Sequence, residues 1–360
     1  MIFIDILSPG SIHHNTRGII TPLKIWARKI LDANINFKFI NKFSNISEGD
    51  IILIDSKYHR NLWLKKKEKI FEDFSYFRKR YNKIIYLDTA DSTGWIEKEI
   101  FAHIDQYWKQ QVLKNKMQYL KNMYDNRIYT DYYHKKYNIH DDNIYESDAQ
   151  LDVKDLDKIK LFWNVGLSNY SINSHIYNYA YNYLKFSFLI SFKKNNFNPY
   201  IIKDNNIFCR FNSNSYNKLI NFHRNKIINK INKNYKVNHN KSNRWKYMNE
   251  LQRSKISISP FGWGEIAYRD FETFISNTIL LKPDMDHLMT WPNFFLKNET
   301  YLDFSWDFED LNSKIENILI NYENYKYIAL NAFEIYKKYT FDINASDIFV
   351  EHLVNLIKSN

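Results

Sequence analysis

Cysteine occurs once in the 360 residues, as Cys209, which excludes intrachain disulfides and any multi-thiolate metal centre and fits a reducing compartment. No uncharged run approaches the length that spans a bilayer. The first ten residues, MIFIDILSPG, are apolar but carry no basic segment and meet Asp5 early, so they read as a first strand and not a signal peptide. A soluble, cytoplasmic protein is the expectation. Glycine and proline are scarce, at seven and six residues, so a stretch that concentrates them stands out.

Hydrophobic residues at 44% and aromatics at 18% exclude a disordered chain. The length suits two domains, each able to bury its own core. A net charge of +11 favours anionic partners: nucleic acid, an acidic membrane surface or phosphorylated substrates. The heavy use of Asn, Ile, Lys and Tyr carries no functional weight.

The first third alternates strand and helix patterns. Strands are expected over 2–7, 36–43, 50–55 and 83–87 and helices over 22–31 and 62–80, which implies a parallel sheet wrapped by helices. Two polar loops leave strand carboxyl ends toward one crevice. The first, 8–18, carries His13, His14, Asn15 and Arg17; the second, 88–94, carries Asp88, Asp91, Ser92 and Thr93. Residues 107–124 read as a basic surface helix and 141–155 as an acidic linker or excursion. The β/α pattern resumes with strands at 160–167 and 207–211 and helices at 174–186, 216–233 and 245–253. An amphipathic helix follows Asp307, with Leu311, Ile315, Ile318 and Leu319 on one side, and a last helix covers 345–358. The expected division is 1–160, 161–340 and a closing segment 341–360, with no internal sequence repeat.

The stretch 255–306 holds two of the seven glycines, three of the six prolines and three of the nine tryptophans. A strand over 255–260 ends at Pro260, Gly262 and Gly264 turn the chain, a helix starts near Glu265, and a strand over 278–282 ends at Pro283. Such a helix start presents unpaired amides that attract phosphate. On the helix, Ala267, Phe271, Phe274 and Ile275 form the core stripe, while Glu265, Arg269 and Glu272 share another face. Ligands of open α/β sheets bind at this carboxyl edge.

SPFGWGEIAYRDFETFISNTILLKPDMDHLMTWP, followed by ETYLDFSWDFEDL, resembles the donor-binding half of GT-B glycosyltransferases, near the exostosin-like and group 1 polysaccharide enzymes. The likeness is specific over about 245–319 and looser in DQYWKQQVLKNKMQYL and RFNSNSYNKLINFHRNKI. It implies two Rossmann-like domains facing a cleft, with a saccharide or lipid-linked acceptor on the first and a nucleotide-sugar donor on the second. It also implies Glu272 on the ribose, Arg269 on the pyrophosphate, and the turn of Gly262, Trp263, Gly264 and Glu265 near sugar and phosphates. The group 1 pattern has its first glutamate eight residues before the second, where this chain has Gly264 and then Glu265. Retention and inversion of the anomeric centre both stay open.

The chemistry requires offset of leaving-group charge, for which Arg269, Arg210, Arg224, Lys282 and the helix start are available without a metal or other cofactor. An inverting reaction also requires a base, for which Asp91, Asp88 and His13 are the candidates. Two rival readings compete. Gly262-x-Gly264-x-x-Ala267, with Asp284 and Asp286 about twenty residues on, satisfies an NAD fingerprint, though late in the chain. The basic segments 65–69 and 216–246 carry interleaved aromatics that suit RNA or an anionic membrane surface, but no RNA-binding motif accompanies them. The pair Asp284 and Asp286 reads as solvated or capping more readily than as a metal site.

Overall fold

A computed structural model describes residues 1–9, 14–142, 144, 149–192 and 200–359. Strands β1 (Ile2–Leu7), β2 (Ile35–Ile40), β3 (Gly49–Asp55), β4 (Tyr81–Asp88), β5 (Gln106–Lys109) and β7 (Ile159–Leu161) form one sheet in the order β2-β1-β3-β4-β5-β7. Every pairing in it is parallel. Strands β8 (Asn205–Phe208), β9 (Ser254–Ile258), β10 (Ile279–Pro283) and β12 (Leu302–Phe304) form a second parallel sheet, ordered β12-β10-β9-β8. Two β/α halves are therefore present, as the alternation of elements implies. The apolar runs IILI in β3 and ILL in β10 are buried along their length, because parallel sheets are covered on both faces.

Helices α1 (His14–Ile25), α2 (Ala27–Asp32), α3 (Lys67–Arg78) and α4 (Ile128–Tyr137) belong to the first half. Helices α5 (Ser174–Leu184), α6 (Lys218–Ile231), α7 (Arg244–Gln252), α8 (Tyr268–Phe274), α9 (Leu311–Ile320) and α10 (Tyr322–Thr340) follow. The last, α11 (Ala345–Lys358), has the bounds read from sequence and returns to the first half. There Lys29 pairs with Asp347 at 2.8 Å, and Lys83 Nζ donates to the carbonyls of Ile357 and Ser359. The halves also share an antiparallel pair of β6 (Gln111–Leu113) with β11 (Leu288–Thr290). One hydrophobic core runs from Ile4 to Ile357 through both.

Three expectations need correction. Residues 107–124 are not a basic surface helix: they hold β5 and β6, and Tyr107 and Trp108 are fully buried. The misleading charge is Lys109, which lies inside the sheet because Asp88 pairs with it at 2.8 Å. The first helix begins at His14, not at Pro22, which lies within it. The helix expected from Glu265 begins at Tyr268 and is seven residues long. Strand β7 ends at Leu161 and lies in the first sheet, beside β5. The acidic segment 141–155 falls partly outside the described residues.

Candidate active site

The carboxyl ends of β1, β3 and β4 carry loops tied together by Asp55, at the end of β3. Its carboxylate accepts from Ser8 Oγ (3.0 Å), Thr16 Oγ1 (2.6 Å), Thr89 Oγ1 (2.9 Å) and the Lys57 N–H (2.9 Å). A fully buried carboxylate needs such donors, and here the donors come from all three loops.

Above this hub lies a cleft of about 570 Å³. Both loops singled out from sequence reach it, through Asn15 and through Asp88, Asp91 and Ser92. Its aromatic walls are Trp63 and Trp95 from the first half and Trp263 from the second, the last 44% exposed. Arg127 sits with its guanidinium 5.7 Å from the Trp95 ring and 5.4 Å from the Trp263 ring, and its Nε–H donates to the Trp263 carbonyl at 3.0 Å.

Three carboxylates line the cleft, each in a different state. Asp88 is saturated, accepting from Lys109 Nζ and Tyr107 Oη at 2.8 Å each and from the Ala90 N–H at 2.8 Å. Asp91 accepts from Asn15 Nδ2 at 2.6 Å; burial raises its pKa against the pull of Asn15, Lys57 and Arg127. Glu97 accepts from Trp95 Nε1 at 3.1 Å, and burial pushes its carboxyl up to about 7. Ser92 Oγ is buried without a hydrogen-bond partner among the described residues. His13 lies outside the described residues.

The glycine turn meets protein, not open space. A Cβ at Gly264 would stand 1.8 Å from the Asp91 carbonyl oxygen and 2.3 Å from its carbon, so this glycine exists to let the two halves touch. Gly262 N–H donates to the Gly264 carbonyl at 2.9 Å, and the Gly262 carbonyl accepts from Tyr129 Oη. The Ala267 N–H at the start of α8 donates to Asp270 Oδ2 at 2.9 Å. The amides expected to stand open for phosphate are thus partly taken up by the chain itself.

Glu265, fully buried, accepts from the Thr93 N–H at 3.0 Å, Gln111 Nε2 at 3.3 Å and His287 Nε2 at 3.4 Å. Burial opposes its ionisation, but the His287 and Thr93 bonds outweigh this and hold its pKa below the usual value. Glu265 therefore joins the halves behind the cleft.

A second cavity, of about 300 Å³, lies between α1 and the second half. Gly18, Ser168, Asn169, Arg244, Tyr268 and Glu272 are on its wall. Glu272 Oε1 pairs with Arg244, and Oε2 accepts from Tyr247 Oη at 2.7 Å. The other cations expected at the donor stand elsewhere. Arg269 donates to the Arg210 carbonyl at 2.7 Å, Arg210 forks onto Glu250 at 2.8 and 2.6 Å, and Lys282 is buried against Asp270 at 3.1 Å. Arg224 holds the Phe261 and Asn212 carbonyls at 2.7 and 2.6 Å. Asp284 pairs with Lys297 at 2.7 Å, and Asp286 faces the same amine at 3.8 Å.

Arg127, Arg244, Glu97 and Asn15 in its contact role escaped the sequence reading. Their significance lies in partners distant along the chain.

No family model matches the chain, and no curated protein matches it. Solved structures with a similar chain course include Anabaena Alr3699/HepE in complex with UDP, at 9% identity and a TM-score of 0.44 over 100% of both chains. A glycosyltransferase from Rickettsia africae ESF-5 matches at 11% identity and 0.43, over 98% of both chains. An alpha-glucosyltransferase in complex with UDP-glucose and DNA containing an abasic site matches at 8% and 0.41, over 99% of this chain and 98% of that one. At these scores the likeness carries no argument about activity.

Proposed function

We propose that this chain is a glycosyltransferase of GT-B architecture that moves a sugar from a nucleotide-sugar donor to a saccharide or glycolipid acceptor. One observation carries the reading: a cleft at the carboxyl edge of the first sheet, where α/β folds bind ligands, and a second cavity between α1 and the second half meet at the contact of Asn15 with Tyr268.

The larger cleft suits the acceptor. Tryptophan rings offer flat apolar faces to a sugar ring, while Asp91, Glu97 and Ser92 offer hydrogen bonds to its hydroxyls. The second cavity suits the nucleotide, with the Glu272 carboxylate for ribose hydroxyls and the Arg244 guanidinium for diphosphate charge. Among the three sequence candidates Asp91 is the proton acceptor in this reading, since it adjoins the second half at Gly264 while Asp88 is neutralised by Lys109. Glu97 lies beside Trp95 and is assigned to acceptor hydroxyls.

Placement near the exostosin-like and group 1 enzymes rests on the FGWGE run. Nucleotide sugar serves as substrate, and no cofactor or metal is assigned; among the described residues no three His, Cys, Asp or Glu side chains group as a metal site. No helix is long and apolar enough to cross a membrane among the described residues. A cytoplasmic location with peripheral contact to an anionic membrane is part of the proposal, supported by the net charge of +11 and by exposed Tyr179, Tyr183, Phe186 and Phe188. Neither rival reading gains support: Gly264 of the NAD fingerprint packs on Asp91, and α6 buries His223 and Arg224.

Thermal-shift titration with UDP, GDP, CMP, NAD and a mixed-sequence RNA tests the proposal. Stabilisation by one nucleoside diphosphate supports it. Stabilisation by NAD alone or RNA alone overturns it.

A further inference from the structure

Three contacts along residues 264–268 connect the second half to the first, two of them at the loop that carries Asp91 and one at Asn15 in α1. Gly264 lies against the Asp91 backbone, Glu265 accepts from the Thr93 N–H, and Tyr268 Oη donates to Asn15 Oδ1 at 2.7 Å. Asn15 is the point where this connection reaches the Asp91 carboxylate. Its Nδ2 donates to Asp91 Oδ1 at 2.6 Å and to the Thr89 carbonyl at 3.0 Å. A carboxylate and a carbonyl can only accept, so the amide nitrogen must face them and the amide oxygen must face Tyr268. One orientation of Asn15 satisfies all three bonds.

Asn15 lines the acceptor cleft, and Tyr268 lines the second cavity. The chain Tyr268–Asn15–Asp91 is therefore a wall common to both. Given the transferase reading above, on which this step rests, we propose that Asn15 is a positioning residue. It aims the Asp91 carboxylate at the acceptor hydroxyl, and through Tyr268 it does so while the two halves are closed.

In the transfer, the acceptor hydroxyl gives its proton to Asp91 Oδ2 and its oxygen bonds the anomeric carbon. The bond from that carbon to the diphosphate oxygen breaks, with the electron pair leaving on the diphosphate. Asn15 touches no reacting atom. Its hydrogen bond holds Oδ1, leaving Oδ2 as the basic oxygen, and errors of about 1 Å in such placement cost on the order of a hundredfold in rate.

The charged groups facing Asp91 are Lys57 after β3, Arg127 ahead of α4 and Asp88 at the end of β4, with Glu265 and His287 behind the Gln111 side chain. Together with Lys57 and Arg127, and against burial and Asp88, the Asn15 bond favours the ionised form. Its loss raises the pKa of Asp91.

The test uses the full chain and two readouts. In protein labelled with ¹³C-aspartate, with Asp91→Asn assigning the signal, Asn15→Ala moves the Asp91 titration midpoint up by about one pH unit. An unmoved midpoint overturns the proposal. In parallel, release of nucleoside diphosphate from UDP-glucose, UDP-galactose, UDP-N-acetylglucosamine and GDP-mannose is followed against pH, with water as acceptor. Asn15→Ala lowers kcat by at least about tenfold with donor KM within about twofold, and the acid limb moves to higher pH. Tyr268→Phe moves rate and limb the same way by less. A fall in kcat with no movement of the limb, or a matching rise in KM, overturns the positioning role. If the unmodified protein neither binds UDP, GDP or CMP nor releases a nucleotide, the transferase reading fails; the carboxylate titration still decides whether Asn15 tunes Asp91.

Discussion

Gly264→Ala tests the contact between the halves at its tightest point. The added methyl would stand 1.8 Å from the Asp91 oxygen, 2.3 Å from its carbonyl carbon and 2.9 Å from its Cβ. Two of these atoms are backbone, so no side-chain rotation relieves the overlap, and the two loops must separate by about 1.5 Å to restore ordinary contact. Overpacking of this kind costs about 1–3 kcal/mol. The movement also strains the Thr93-to-Glu265 bond and the Gln111 amide bond to the Asp91 carbonyl, each worth about 1 kcal/mol. A total near 4 kcal/mol follows. At about 2.1 cal/mol/K per residue, 360 residues unfold with about 0.75 kcal/mol/K, so the midpoint falls by about 5 °C. Differential scanning calorimetry reads this directly. Two other glycines grade the result: a Cβ at Gly262 meets the tip of Arg224 at 2.9 Å, and one at Gly49 meets Tyr81 at 3.4 Å. The expected order of destabilisation is Gly264→Ala, then Gly262→Ala, then Gly49→Ala near zero. A Gly264→Ala midpoint within about 1 °C of the parent would refute the reasoning.

Acidification loosens the fold through two histidines. The His352 ring lies flat on Trp291 at 3.7 Å, and burial holds its pKa at about 4; His223 is fully buried and held well below its ordinary value. Both folded values are depressed, so the unfolded chain takes up protons first and stability falls as pH drops below about 6.5. His352 alone contributes about 3 kcal/mol by pH 4; urea titrations at pH 7 and pH 5 should show the loss, and His352→Phe should reduce it. Lys109→Met leaves the Asp88 carboxylate buried without its cation, at a cost of about 3–5 kcal/mol, and Asp88→Asn in the same chain restores part of it. Equal stability of the single and double variants would show that the pair does not act as a unit. Arg244→Ala and Glu272→Gln each weaken UDP binding by about tenfold in isothermal titration; undiminished affinity removes the second cavity from the donor reading.

The alternation of two β/α halves was legible because buried parallel strands leave apolar runs that survive in a bare sequence. Helix α11 was legible to the residue because its stripe of Phe349, Leu353, Leu356 and Ile357 has helical spacing. The stretch 107–124 was not, since a lysine normally marks a surface and Lys109 is buried only by virtue of Asp88, twenty-one residues earlier. At Gly264 the requirement for no Cβ was visible but its cause was not: a ligand and a facing loop impose the same demand. Asn15 shows the limit most sharply, because its partner Tyr268 is 253 residues away and no local spacing connects them.

The turn that dominates the sequence is thus a junction before it is a ligand cradle, and the two roles are compatible if the junction is where the reaction takes place. The halves are tied firmly on one side. There β6 pairs with β11 through Leu113–Leu288 and Gln111–Thr290, and the Lys114 N–H reaches the His287 carbonyl at 3.0 Å. A strand pair buries its backbone bonds and resists opening. On the Asn15 side the halves meet through Gly264 packed on Asp91, the Thr93-to-Glu265 bond and the side-chain bond of Tyr268 to Asn15, and among the described residues no strand pairing joins them there. Relative motion of the halves should therefore pivot at β6–β11 and part at Tyr268–Asn15, the wall between the two cavities. On the transferase reading, ligand exchange and alignment of Asp91 would then be governed by the same bond.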